Sequence, residues 1–366
     1  MIEKEVEAML AQALPPSQKI FQQAQLHWDR LAKPLHSLGK LETAISRMAS
    51  IQGNSDKVRV QKAALVIMCA DHGVVAEGVT QTGYKVTKVV TDNFVTGQTS
   101  AAIMAKEADV DLFPVDMGIH CEPYPQKQVK KGIVLHRKIA KGSKNIIAEP
   151  AMSEEQCRQA LQTGISLVSS LKEMGYDMIA VGEMGIGNTT PSSALAAFWL
   201  NQPAERMTGK GAGLSKEGIE QKRRVVEAAI ERYRRQAVTC SAIEVLSHLG
   251  GFDIAGMTGL FLGGYIYKMP VLVDGFISAV AALCASHICE NVRTCMFATH
   301  VSKEPAGEMV LKALGLDAFV RADMCLGEGT GALTAVPMFR MAGAVYNQMG
   351  VFGEIAITQY KDYEKE

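Results

Sequence analysis

The segment CLGEGTGAL (325–333) sets one carboxylate, Glu328, between two glycines, with a third glycine two residues on. Glycine lets backbone N–H groups come close to a ligand, and concave N–H clusters usually receive anions. A negative charge in such a place has two readings. Glu328 caps the helix that follows, or it accepts a proton beside a bound substrate. Other acids stand in comparable places. Asp71 (ADHG), Asp116 (VDMG), Glu183 (VGEMG) and Asp274 (VDGF) each end an apolar run close to a glycine. Acids at strand ends cap helices individually; four together point to a site.

The glycine-rich segments suggest what such a site holds. GEMGIGNTT (182–190), TGKGAGLS (208–215), LGGFDIAGMTGLFLGG (249–264) and LGEGTGAL (326–333) stand out. The first nearly matches a P-loop but carries Asn188 where a lysine should reach the β and γ phosphates, which disfavours a nucleoside triphosphatase. Its N–H groups and the Thr189 hydroxyl suit a single phosphate at a helix start. Any one such turn is usually tight packing. Four of them point to a phosphate-bearing small ligand. Lys222, on the helical segment after TGKGAGLS, and Lys210, inside it, are the cations within reach. His72, His248, His287 and His300 have no partners at ligand spacing, so no metal is expected.

The elements that would position these residues alternate regularly. Apolar runs at 63–70, 111–118, 177–185, 270–276 and 295–302 read as buried strands, and 153–174 and 218–237 read as helices. Strands apolar on both faces suit a parallel sheet covered by helices. The expectation is an α/β fold with a mostly parallel sheet, its ligand crevice at the carboxyl ends of the strands. Residues 1–60 and 335–366 are expected to form a smaller helical domain, and 61–334 the large catalytic one. At 366 residues the chain is long enough for both.

Composition excludes several classes. The chain is 48% hydrophobic, 21% charged and formally neutral, so no broad attraction to nucleic acid or acidic membrane is expected. The eight cysteines include no C-x-x-C pair and read as reduced thiols. The 19 methionines read as core filler. An acidic amino-terminal segment and the lack of an uninterrupted apolar span lead us to expect a soluble cytoplasmic protein.

KPLHSLGKLE (33–42), CADHGVVAEGVT (69–80), VGEMGIGNTTPSSAL (181–195), GGFDIAGMTG (250–259), PVLVDGFISAVAAL (270–283) and LGEGTGAL (326–333) resemble the nicotinate-nucleotide:dimethylbenzimidazole phosphoribosyltransferases of cobamide assembly. The resemblance runs from about Lys33 to about Gly350. It implies a Rossmann-like domain with a small helical one, assembly as a pair of chains, and neither metal nor other cofactor. The implied reaction moves 5-phosphoribosyl from nicotinate mononucleotide to an aromatic lower-ligand base, with inversion at the anomeric carbon. An azole nucleophile loses its N–H proton as it bonds to carbon, so a carboxylate is needed on its face. By resemblance Glu328 is that base, beside an apolar wall that includes Leu326, and Glu183 is the second active-site acid, favouring positive charge on the ribose. Contacts to the nucleotide and its phosphate map onto Gly185, Asn188, Thr189, Gly211, Lys222, Asp274, Gly275 and Ser302.

The acceptor pocket is where the chain departs from the family pattern. Thr82 and Gly83 replace a serine–proline or similar pair, Val90 replaces a glutamine, and Leu35 and His36 alter the KPPGSLG signature. One branch of the family glycosylates phenols as a heteromer of two related chains, and an apolar Val90 would suit a phenol. The partner implied is therefore an identical chain or a paralogue. A catalytically silent subunit is disfavoured by intact Glu328 and Glu183.

Overall fold

A computed structural model describes residues 2–354 and 358–360, with side chains from Val6 onward. Its centre is a six-stranded sheet: β1 (Ala63–Ala70), β2 (Val110–Gly118), β3 (Leu135–His136), β4 (Met178–Met184), β5 (Val271–Val273) and β6 (Met296–Ala298). Every pairing is parallel and the order is β3-β2-β1-β4-β5-β6. All eight residues of β1 and all seven of β4 are buried, as continuous apolar runs between two helical layers require.

The chain leaves the first strand in one direction and returns on its other side, so the order reverses between β1 and β4. Ligands of open parallel sheets bind at such a switch point, beyond the carboxyl ends of the strands. In register, Met68 faces Glu183 across that seam.

The expected strands differ from the observed ones mainly at their ends. β5 stops at Val273 because Asp274 and Gly275 lead straight into the helix Phe276–Ile288. β6 stops at Ala298. The two-residue β3 is too short for any periodicity to register. The helices expected at 153–174 and 218–237 span Glu154–Glu173 and Lys216–Gln236. Within the segment 249–264, the glycines serve packing rather than a ligand. Gly256, Gly259, Gly263 and Gly264 lie in the buried helix Phe252–Ile266, where a Cβ on Gly259 would collide with the backbone of Leu161, and Gly250 and Gly251 lie between that helix and the one before it.

The helices Gln18–Arg30 and Lys40–Gln52 pack against the long helix Thr330–Gln348. His27 Nε2 lies 2.9 Å from the Tyr346 carbonyl, the Trp28 and Tyr346 rings meet edge to face at 5.0 Å, and Leu31 bridges Val351. We propose a smaller unit from 1–60 and 335–366 on these contacts. Met1, 355–357 and 361–366, which that division includes, lie outside the described residues. The same long helix also reaches the sheet body, where Arg340 donates to the carbonyls of Gln61 and Asp109. No helix among the described residues is long and apolar enough to cross a membrane. All eight cysteines are free.

Candidate active site

A cavity of about 280 Å³ opens at the carboxyl ends of β4 and β5. Its floor is acidic. Glu183, the sixth residue of β4, lies buried beneath it, Asp274 follows β5 directly, and Glu328 arrives on the loop before Thr330–Gln348. The other two strand-end acids turn away. Asp71 accepts the His120 N–H at 2.7 Å; Asp116 accepts the Ile119 N–H at 2.9 Å and sits 3.2 Å from the buried Lys138 ammonium. These two order neighbouring loops, so only half of the strand-end acids face the cavity.

The loop carrying Glu328 has an unusual backbone. Gly327, Glu328 and Gly329 all have positive φ, at 90°, 61° and 82°. For glutamate this conformation costs about 1–2 kcal/mol, so the surroundings must hold it there. They do so from two sides. Asp274 accepts the N–H groups of Gly329 at 3.3 Å and of Ala332 at 2.9 Å, capping the helix that Glu328 precedes. On the other side Gly182 of β4 has no side chain, and a Cβ there would stand 2.7 Å from the Glu328 carbonyl oxygen. The cap is therefore Asp274. The Glu328 carboxylate is left over for the cavity.

The two glutamates differ in environment. Burial pushes Glu183 up to about 8, with the nearby charge of Asp253 adding to it and the Asn188 amide opposing it. Burial also raises Glu328, while its contact with the Ala101 N–H, 3.5 Å away at a helix amino terminus, works the other way. At neutral pH Glu183 is thus largely protonated. Asn188 donates to Glu183 and, at 3.2 Å, to Asp253. It serves a carboxylate pair where the P-loop likeness pointed to a phosphate.

A glycine-lined pocket backed by a buried lysine forms the other wall. The Lys222 ammonium is buried, donates to Thr189 Oγ1 at 2.7 Å and to the Gly209 carbonyl at 3.3 Å, and burial lowers its pKa to about 8. Gly185, Thr189, Gly211, Gly275 and Ser302 line the same space. Lys222 acts from behind Thr189 rather than as a wall residue.

Of the acceptor-side residues, Thr82 and Leu326 line the cavity, and Leu326 is 57% exposed. An exposed leucine desolvates little, so the raised pKa of Glu328 owes more to the loop's own burial. Gly83 is exposed just before the helix Lys85–Thr96, with open space where a Cβ would stand, and Val90 packs half-buried against the core; neither is among the lining residues. Residues that the sequence did not single out also line the site, among them Gln81, Ile186, Phe276 and Glu304. No grouping of three His, Cys, Asp or Glu side chains suited to a metal occurs among the described residues.

This architecture is shared with known proteins. A family profile described as Phosphoribosyltransferase matches residues 13–357. The chain belongs to that phosphoribosyltransferase family. Two relatives named nicotinate-nucleotide--dimethylbenzimidazole phosphoribosyltransferase bear this out. That of Ruminiclostridium cellulolyticum is 41% identical over 94% of this chain and 95% of its own. That of Acetivibrio thermocellus is 42% identical over 91% and 92%. The crystal structure of CobT from Thermus thermophilus superposes with a TM-score of 0.86 at 35% identity, covering 93% of this chain and 100% of the other. The Thermus thermophilus protein therefore shares the overall fold in which Glu183, Asp274 and Glu328 of this chain converge.

Proposed function

We propose that this phosphoribosyltransferase takes nicotinate mononucleotide as donor and an aromatic nitrogen base, 5,6-dimethylbenzimidazole or a close relative, as acceptor. The products are nicotinate and an α-ribazole 5′-phosphate, a step of cobamide biosynthesis. The observation that carries the reading is the placement of Glu328. A half-buried carboxylate with a raised pKa, held at positive φ, shares one cavity with glycine-rich loops and with Thr189, which a buried lysine backs.

In the reaction the donor's C1′–N bond breaks and its electron pair stays with nicotinate. An acceptor nitrogen bonds to C1′ from the opposite face. The acceptor's N–H proton goes to Glu328. The pocket around Thr189, Gly211, Lys222, Gly275 and Ser302 suits the 5′-phosphate and fixes the ribose, so that nucleophile and leaving group lie in line. Glu183 lies beneath the ribose position. The nicotinate nucleotide carries a cationic ring, and its approach favours the ionised form of Glu183, which then stabilises positive charge developing on the sugar. Asp274 acts on the Glu328 loop, and Asn188 on Glu183. Thr82 and Leu326 flank the acceptor side.

A pair of chains, identical or paralogous, and a cytoplasmic location belong to the same proposal. Size-exclusion chromatography with light scattering tests the pairing.

The decisive assay supplies nicotinate mononucleotide with 5,6-dimethylbenzimidazole or p-cresol in separate reactions. Nicotinate release and product mass are followed, with Glu328→Gln as control. Product from the benzimidazole, lost in the variant, is expected. Product from p-cresol alone would overturn the acceptor assignment, and product from neither would overturn the activity of the isolated chain.

A further inference from the structure

The anion pocket already contains a carboxylate of the chain's own. Glu304, two residues after Ser302, turns its side chain into the cavity. Its Oε1 accepts the Gly211 N–H at 3.1 Å. Its Oε2 is shielded from solvent and has no hydrogen-bond partner among the described residues. The carboxylate fits because position 209 is glycine, where a Cβ would run into Oε2. The Ser302 hydroxyl accepts the Glu304 N–H at 3.3 Å and holds the backbone in place. Glu304 therefore engages groups that a bound phosphate would use: the Gly211 N–H, the Ser302 hydroxyl and the field of Lys222.

One N–H cannot serve a carboxylate and a phosphate at once, and two anions in one small pocket repel. A buried ammonium in turn is costly without a counter-charge. We infer that Glu304 is the resident counter-anion of the phosphate subsite, displaced when the nucleotide's phosphate enters, and that it thereby weakens the hold of the subsite on free phosphate. Displacement opposes inorganic phosphate and nucleotide equally. Only the nucleotide brings ribose and nicotinate contacts to offset it. Glu304 is thus a competitor for the phosphate subsite that every phosphate ligand must displace, and the inference rests on the phosphate assignment made above.

The test is calorimetric titration of the full chain with inorganic phosphate, without donor or acceptor. Wild type, Glu304→Gln and Glu304→Ala are compared, and each is repeated with Lys222→Gln, or with Thr189→Val if the lysine variant does not fold. Both Glu304 variants are expected to bind phosphate at least about tenfold more tightly than wild type, with the gain abolished by the second substitution. In steady state, phosphate inhibition competitive with nicotinate mononucleotide should strengthen by the same factor. Binding that depends on Lys222 or Thr189 but is equal or weaker in both Glu304 variants would overturn the counter-anion role and leave the subsite standing. Phosphate binding independent of Lys222 and Thr189 in every protein would overturn the subsite assignment and this inference with it.

Discussion

Nε2 of His72 stands 3.0 Å from Oδ1 of Asp253, and both side chains are closed off from solvent. The pair joins the ADHG and GGFD segments, 181 residues apart in the chain. From Asp253 the polar contacts continue through Asn188 to Glu183. The line His72, Asp253, Asn188, Glu183 ends at the floor of the cavity. Asp253 contributes, after burial, to the raised pKa of Glu183. Asp253→Asn should therefore lower that pKa from about 8, read as a shift of the Glu183 carboxyl signal in a carbon-13 NMR titration of the free enzyme. An unmoved signal would show that burial alone sets it. His72→Ala would leave Asp253 facing a void and should cost about 2–4 kcal/mol in chemical denaturation.

Glu328→Gln keeps the shape of the loop and removes the proton acceptor. Loss of a general base at a well-placed site lowers kcat by about 10²–10⁴. KM for nicotinate mononucleotide should stay within a few-fold, since the phosphate pocket is untouched. In the wild type, kcat/KM should climb with pH through a carboxyl pKa above the ordinary glutamate value, because only the ionised form accepts the proton. The variant should lose that limb. Retention of the limb would move the base elsewhere.

Glu183 makes stability depend on pH in the free enzyme. Its folded pKa, about 8, lies above the ordinary value of 4.5, so the native state keeps a proton that the unfolded chain releases. This contribution is complete below about pH 4.5 and is lost as pH rises toward 8, with a slope of at most about 1.4 kcal/mol per pH unit. Lys222 has the opposite sign. Its folded pKa is lowered from 10.5 to about 8, so it favours the native state increasingly between those values. Denaturation of Glu183→Gln across pH 5–8 should give a shallower decline than wild type. Parallel curves would refute the assignment.

Gly327 faces two constraints. Its φ is 90°, and a Cβ would collide with Glu183 Oε1. Gly327→Ala should destabilise by about 1–3 kcal/mol and lower kcat by pushing the two glutamates apart. Gly353→Ala, where nothing lies within 4 Å, serves as a control and should leave both unchanged. Equal effects at the two positions would show that the turn tolerates the extra carbon.

Much of this protein was legible along the chain. Continuous apolar runs such as AALVIMCA have no polar face to leave in water, so they announce strands covered on both sides. Acids after such runs fall at one edge of a parallel sheet because all its strands point the same way. Glu183 was visible for that reason, and Glu328 because it stands between two glycines in LGEGTGAL. Side-chain direction and distant partners were not, because they depend on what the rest of the chain brings alongside. Asp71 and Asp116 look like Glu183 and Asp274 in sequence. The loop around His120 and the ammonium of Lys138 claim the first two. Asp274 became the cap that frees Glu328 only once β5 stood beside the last long helix. Glu304 and Gly211, 93 residues apart, met in one pocket because tertiary packing closed two loops over one buried lysine.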